Sequence, residues 1–457
     1  MTVFCRKFAY FMAFLLFFQQ NSAYASGLIR DTEVETILQD AVRLMAEEAG
    51  FSDGIKIRVV LNPSYNAFVV GGQTVYIHTG LLLSARSAEE ILGVIAHEIG
   101  HLAAGHVPLR QEAINDANLA TALTAIATAA VAATGSADVA LGVAIGGNDR
   151  AKRQYLTTSR KDESIADEWA LRLLDKAGIS SHGLTDFMRR QASQRMMPES
   201  RQNEYYRTHP GAKERLATFT DHTSKISEDR ALSQINVQRL ARAVLKIAAY
   251  TQPLSVTKEA VFQLNWASPS SNPTKILPNE ASLTYARAIA LFRRGDLDAA
   301  DKLMSAQLNK NKSDAWFAEF AGDIDMSAGR PKQAAMHYRN ALFIRPDSPQ
   351  ISLSLGRALV ATNDNSVLDE AVEALLFADK GEPEWSFVKR QLAIAYGRNG
   401  QLAEADIVLA EEALLARDKP RAAKMAKRAL AHETAADHIR AKARDILFQL
   451  NIAAKKD

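Results

Sequence analysis

Glycine stands at positions 295 and 329, 34 residues apart; another 34 residues reach Asn363, and a three-residue insertion carries the series on to Gly400. Alanine follows each member in step, at Ala300, Ala334, Ala371 and Ala405, and seven residues before each turn position stands a small residue: Ala288, Gly322, Gly356 and Ala393. Glycine or asparagine at the turn supplies the positive φ that reverses a chain between two helices, and a small residue in the first helix lets the pair cross closely. One helix pair cannot bury its apolar face alone, so a repeated pair stacks on its neighbours into a solenoid. Four repeats run from Ala281 to about Arg417, and Asp418 to Leu450 supplies further helices that cap the stack. Such a stack presents an extended concave surface, which suits peptide or protein binding better than chemistry.

This spacing resembles the tetratricopeptide repeat, whose period is 34 residues. Pro346, after Ala341-Leu342-Phe343-Ile344-Arg345, closes the second repeat in the manner of that family. The rest of the chain divides by texture. Residues 1–25 read as an export peptide: Arg6 and Lys7, then 11 apolar residues from Phe8 to Phe18, then Ala23-Tyr24-Ala25 as a small-x-small cleavage signal. Gln19, Gln20 and Asn21 stop the run short of the ~20 residues a membrane span needs. Cleavage after Ala25 removes Cys5, the only cysteine, so any metal must be held by His, Asp or Glu. It also takes two of the 55 basic residues and none of the 52 acidic ones, leaving 53 against 52, a net charge of +1. That balance offers no electrostatic case for nucleic acid. The expected location is a periplasm. The expected domains are a mixed catalytic domain over 26–250, a connector over 251–280 carrying Pro253, Pro269, Pro273 and Pro278, and an all-α repeat domain over 281–457.

The strongest local signal is His97-Glu98-Ile99-Gly100-His101. Residues four apart lie on one helical face, so both imidazoles can take one metal ion, with Glu98 beside it as a base for water. Ser87 with Glu90 three positions later reads as a capping box, and Ile91, Ile95, Ile99 and Leu102 predict a buried amphipathic helix. Catalytic zinc takes three protein ligands, and two candidates compete for the third place. His106 is near, but it stands one residue short of the metzincin spacing and Gly105 one residue late. Glu163 lies in Asp162-Glu163-Ser164-Ile165-Ala166-Asp167, on a predicted helix with a stripe of Ile165, Trp169 and Leu173 that ends at Gly178. Asp167, four residues on, could orient a ligand histidine through its other nitrogen. Upstream, the runs Asn66–Val70 and Val75–His78 flank Gly71-Gly72 and predict a hairpin, one strand of which can lie at a sheet edge and accept substrate. The uncharged, Ala/Thr-rich stretch 117–137, followed by a second apolar run, reads as a lid or a membrane-surface contact over 117–148.

His-Glu-x-x-His with Glu-x-x-Ala-Asp some sixty residues later, Asn66-Ala67-Phe68 upstream and Thr208-His209-Pro210 downstream resembles the Ste-twenty-four/HtpX-type zinc metallopeptidases. The export peptide and the C-terminal repeats narrow the resemblance to the BepA-like periplasmic subgroup. It implies an α+β, mostly helical gluzincin-type domain with a small β-sheet. It further implies one zinc ion held by His97, His101 and Glu163, Glu98 as general base, Asp167 as orienting partner, and His209 of His-Pro-x-x-x-x-Arg as a cap on the metal or an oxyanion donor. The implied work is endoproteolysis of misfolded or misassembled outer-membrane proteins, with envelope assembly machinery as a partner. A different class stays open: a non-proteolytic chaperone or scaffold whose zinc site is latent, capped by His209.

Overall fold

The computed structural model describes residues 27–69, 72–106, 160–198, 201–225, 232, 234–252, 264, 266–267 and 275–452. The expected export peptide with Cys5, the stretch 117–148 and most of the expected connector therefore lie outside the described residues; of the apolar residues in 251–280, Leu264 and Trp266 are described and buried. The described residues form two compact units, one drawn from those within 27–30, 37–240 and 265–276, the other from those within 31–36, 241–264 and 277–452.

In the first unit β1 (Gly27–Ile29), β2 (Lys56–Leu61), β3 (Ala67–Val69) and β4 (Thr74–His78) make one sheet in the order β1-β2-β4-β3. β2 runs parallel to β4, with Ile57 opposite Val75 and Val59 opposite Ile77, while β1 and β3 pair antiparallel at the two edges. The predicted hairpin is thus β3–β4, and β3 is its edge member. These four paired side chains are buried, as period-two alternation requires for one inward face. After α1 (Thr32–Glu48) and the short α2 (Thr79–Ser84), α3 (Ala88–Ala103) packs on β3, β4 and α5 (His182–Ser193).

The sequence predicts an amphipathic α3, yet it is buried on every side from Ala88 to His101. Missing side chains allow this: a Cβ at Gly93 would lie 2.7 Å from Leu184 Cβ, and one at Gly100 would lie 2.6 Å from the carbonyl of Ala166. Ser87 caps the helix, its Oγ accepting from the Glu90 amide at 3.1 Å. The capping box is only half made, because the Glu90 carboxylate accepts from the Arg86 amide (3.0 Å), the Tyr65 hydroxyl (2.8 Å) and Arg190. Helix α4 spans 160–176 and is closed by Gly178 at φ +67°. Its buried face is Glu163, Ala166, Asp167, Ala170, Leu173 and Leu174; Ile165 and Trp169, expected inside, are only half-buried. The close approach at Gly100 selects alanine, the smaller side chain, for the face turned to α3. Then come α6 (Glu204–Thr208), α7 (Ala212–Thr223) and α8 (Gln234–Thr251).

The second unit contains the repeats. Successive pairs are α9 (Glu280–Arg293) with α10 (Leu297–Lys310), α11 (Ala315–Ser327) with α12 (Pro331–Ile344), α13 (Pro349–Ala361) with α14 (Leu368–Gly381), and α15 (Ser386–Arg398) with α16 (Leu402–Leu415). The turn residues take the expected positive φ: Gly295 +80°, Gly329 +72°, Asn363 +56° and Gly400 +78°. The insertion is a 3-10 turn, Asn365–Val367, capped by Asp364. Small residues matter where predicted, since a Cβ at Gly322 would meet the Tyr338 ring at 2.6 Å and one at Gly356 would meet Leu375 Cγ at 2.4 Å. A fifth pair, α17 (Lys419–Ala431) and α18 (Asp437–Gln449), ends the stack.

Candidate metal centre

Helix α3 presents His97 and His101 one turn apart, α4 adds Glu163 and Asp167, and His209 follows α6. His97 Nε2 lies 3.2 Å from His101 Nε2 and 3.2 Å from Glu163 Oε2; His101 Nε2 lies 3.5 Å from Glu163 Oε1. His209 Nδ1 is 3.0 Å from Glu163 Oε2, and its Nε2 is 3.6 Å from Glu98 Oε1. One donor atom each from His97, His101, Glu163 and His209 falls within 4.8 Å of the others, and all four residues are buried.

The other nitrogen of His97, Nδ1, meets Asp167 Oδ1 at 2.9 Å. Arg215, on α7, binds that aspartate in bidentate fashion, Nε to Oδ2 and Nη2 to Oδ1 both at 2.6 Å, and reaches Glu163 Oε2 with Nη1 at 2.9 Å. Burial alone raises a carboxyl pKa, but the charges of His209 and Arg215 outweigh it and hold Glu163 well below its usual range. Arg215 and His97 likewise hold Asp167 low against its burial. The two helix histidines separate. Burial lowers both, yet hydrogen bonds to Asp167 and Glu163 push His97 up to about 9, whereas His101 stays well below the ordinary histidine value.

These residues fit a zinc ion. Tetrahedral ligands at ~2.0–2.1 Å from a shared ion stand about 3.3–3.4 Å apart, close to the observed spacings of the two Nε2 atoms and the carboxylate. The donor set is nitrogen and oxygen alone, which suits zinc and demands deprotonated ligands.

The structure brings His97, His101 and Glu163 together, with Asp167 behind His97, Glu98 at the edge of the group and His209 inside it. His106 lies elsewhere, its Nδ1 2.9 Å from Nδ1 of His101 on the side away from the donors. Two further residues carry weight that spacing did not reveal. Arg215 is legible in the sequence only as the last letter of His-Pro-x-x-x-x-Arg. Tyr205, one helical turn before His209, stacks on its ring with centroids 4.2 Å apart, and its buried hydroxyl meets no partner among the described residues.

Residues 30–223 match the family model described as Peptidase family M48. The Beta-barrel assembly-enhancing protease of Yersinia pestis is 22% identical over 371 residues, 79% of this chain and 72% of that protein. Metalloprotease LoiP of Escherichia coli (strain K12) is 28% identical over 170 residues, 37% of this chain and 63% of its own length. Among solved structures, a MamA double mutant covers 38% of this chain and 98% of its own at 18% identity with a TM-score of 0.30, too loose a match to bear on the fold.

Proposed function

We propose, for a chain that belongs to peptidase family M48 through residues 30–223 and is a metalloendopeptidase, that it is an exported zinc enzyme cleaving misfolded or misassembled envelope proteins. The observation that carries this reading is the convergence of His97, His101, Glu163 and His209 beside Glu98. His97, His101 and Glu163 would hold a zinc ion. Zinc, when bound, supplies Lewis acidity toward water and the scissile carbonyl. Asp167 accepts the Nδ1–H of His97 and keeps its Nε2 lone pair on the donor side, and Arg215 keeps Asp167 and Glu163 charged and in place. Glu98 takes the proton of the attacking water and returns it to the leaving amine.

His209 reaches the carboxylates of both Glu163 and Glu98, where water and substrate must enter. That bridge supports a latent ground state in which the ring caps the site and withdraws before turnover; the alternative role for the same ring is donation to the oxyanion. It also favours the second reading, a non-proteolytic chaperone with a permanently capped site. An extended substrate adds to edge strand β3, which packs against α3, through main-chain hydrogen bonds of low sequence selectivity. The relatives named for β-barrel assembly support outer-membrane proteins as substrates, a periplasmic location, and recruitment of assembly machinery by the repeats. No helix among the described residues is long and apolar enough to cross a membrane.

The test compares cleavage of an unfolded protein by the zinc-loaded native chain, Glu98→Gln and His209→Ala. The enzyme reading expects Glu98→Gln to lose at least ~100-fold in rate while retaining zinc. Turnover equal to native would refute it. Activity confined to His209→Ala identifies a latent protease.

A further inference from the structure

Each histidine of α3 turns one ring nitrogen toward the donor group and the other away. Behind His97 stands a carboxylate, Asp167, at 2.9 Å. Behind His101 stands a third imidazole: His101 Nδ1 and His106 Nδ1 are 2.9 Å apart, with ring centroids at 5.1 Å. His106 is 3% exposed, and its own Nε2 lies 3.8 Å from Asp162 Oδ1 on α4, the residue before Glu163. Gly105, at φ +69°, turns the chain immediately after α3, so that His106 folds back against His101 instead of continuing the helical face that carries the donors.

Two ring nitrogens at 2.9 Å share one proton, since two N–H groups or two lone pairs facing each other repel. If His101 ligates through Nε2, as the metal reading requires, its proton sits on Nδ1, and His106 Nδ1 must accept it. The proton of His106 then sits on Nε2 and points toward Asp162. We infer that His106 is a positioning residue for the metal, not a ligand: it accepts the Nδ1–H of His101 and fixes that ring's tautomer and orientation. The two ligand histidines thereby have partners of different kinds, the Asp167–Arg215 pair for one and an imidazole for the other. Partners of this kind typically change metal affinity by about 10–100-fold.

The inference rests on the metal reading, and the experiment separates the two. Zinc affinity is measured by chelator competition on the full chain for native, His106→Ala, His106→Gln, His97→Ala and His101→Ala, with circular dichroism of each metal-free protein. His106→Ala should bind one zinc about 10–100-fold more weakly, and His106→Gln, whose amide oxygen can accept the same proton, should recover to within about threefold of native. In histidine-labelled, zinc-bound protein the His101 Nδ1–H resonance should be protected from exchange in native and Gln variants and lost in Ala. This NMR signature does not depend on turnover. If His97→Ala and His101→Ala bind zinc like native, the metal reading itself fails. If they lose zinc while His106→Ala stays within twofold of native, only the role of His106 fails. Loss of stoichiometric zinc in His106→Ala without recovery in His106→Gln would make His106 a direct ligand and overturn the proposal.

Discussion

Gly100 stands between the two histidines' helix and the helix that brings the carboxylates. A methyl group there would sit 2.6 Å from the Ala166 carbonyl oxygen and 3.0 Å from Trp169 Cβ, where ordinary contact begins near 3.4 Å. In Gly100→Ala the two helices must therefore separate by about 0.8 Å along that line, because the obstacle is backbone and cannot rotate aside. His101 is the next residue on one helix and Glu163 lies one turn before Ala166 on the other, so the shift enters the 3.5 Å His101–Glu163 spacing directly. Overpacking costs ~1–3 kcal/mol, and alanine regains ~1 kcal/mol of helix propensity over glycine. The metal-free fold should thus lose no more than about 2 kcal/mol. Metal geometry tolerates only ~0.2 Å, and a misplacement near 1 Å costs on the order of 100-fold in rate. The expected result is a folded protein with zinc affinity and cleavage rate each reduced ~10–100-fold. Denaturant unfolding of the metal-free chain, chelator competition and a peptide-cleavage assay measure the three quantities. Zinc affinity and rate both within twofold of native would show that the helix approach does not set the site.

Removing Arg215 as Arg215→Met leaves Asp167 and Glu163 buried without their cation, and the metal-free chain should lose ~3–5 kcal/mol in urea unfolding. His97 predicts a pH effect: in the metal-free fold its charged form contributes stability fully below the unfolded value of 6.5, and this is lost as pH rises through about 9. Zinc must displace that proton, so apparent affinity should rise about tenfold per pH unit in that window, and calorimetry in two buffers should read about one proton released; no release would contradict the assignment. In the repeat unit, buried Lys246 lies 2.8 Å from Asp31 and 3.0 Å from Glu33, so Lys246→Met should lower thermal stability by ~3–5 kcal/mol. Gly356→Leu, which must displace Leu375 from a contact already at 2.4 Å for a Cβ, should weaken the same unit by ~1–3 kcal/mol and leave zinc binding unchanged.

The features readable before any fold is known are periodic or adjacent. A 34-residue spacing, a positive-φ residue at each turn and a small residue seven places earlier depend on local backbone geometry, so the helix pairs and their turns were legible down to the insertion at Asn365–Val367. His97, Glu98 and His101 belong to one turn of one helix, so their common face followed from a period of 3.6. Spacing was silent on what stands opposite that face. His106, five residues from His101, and Glu163, 62 residues away, were rivals on paper. In the fold the near one turns back at Gly105 to the far nitrogen of His101, and the distant one enters because Gly100 and Ala166 leave two helices room to touch. The same packing buried all faces of a helix that read as amphipathic and diverted Glu90 from its cap to Tyr65 and Arg190. Arg215 and Tyr205 acquired their places only there, since the energy of a buried charge or a stacked ring depends on neighbours from other elements. Hydrogen-bond ladders and turn strain are paid within a few residues and can be read along the chain; desolvation and charge pairing are settled across it, after the helices have met.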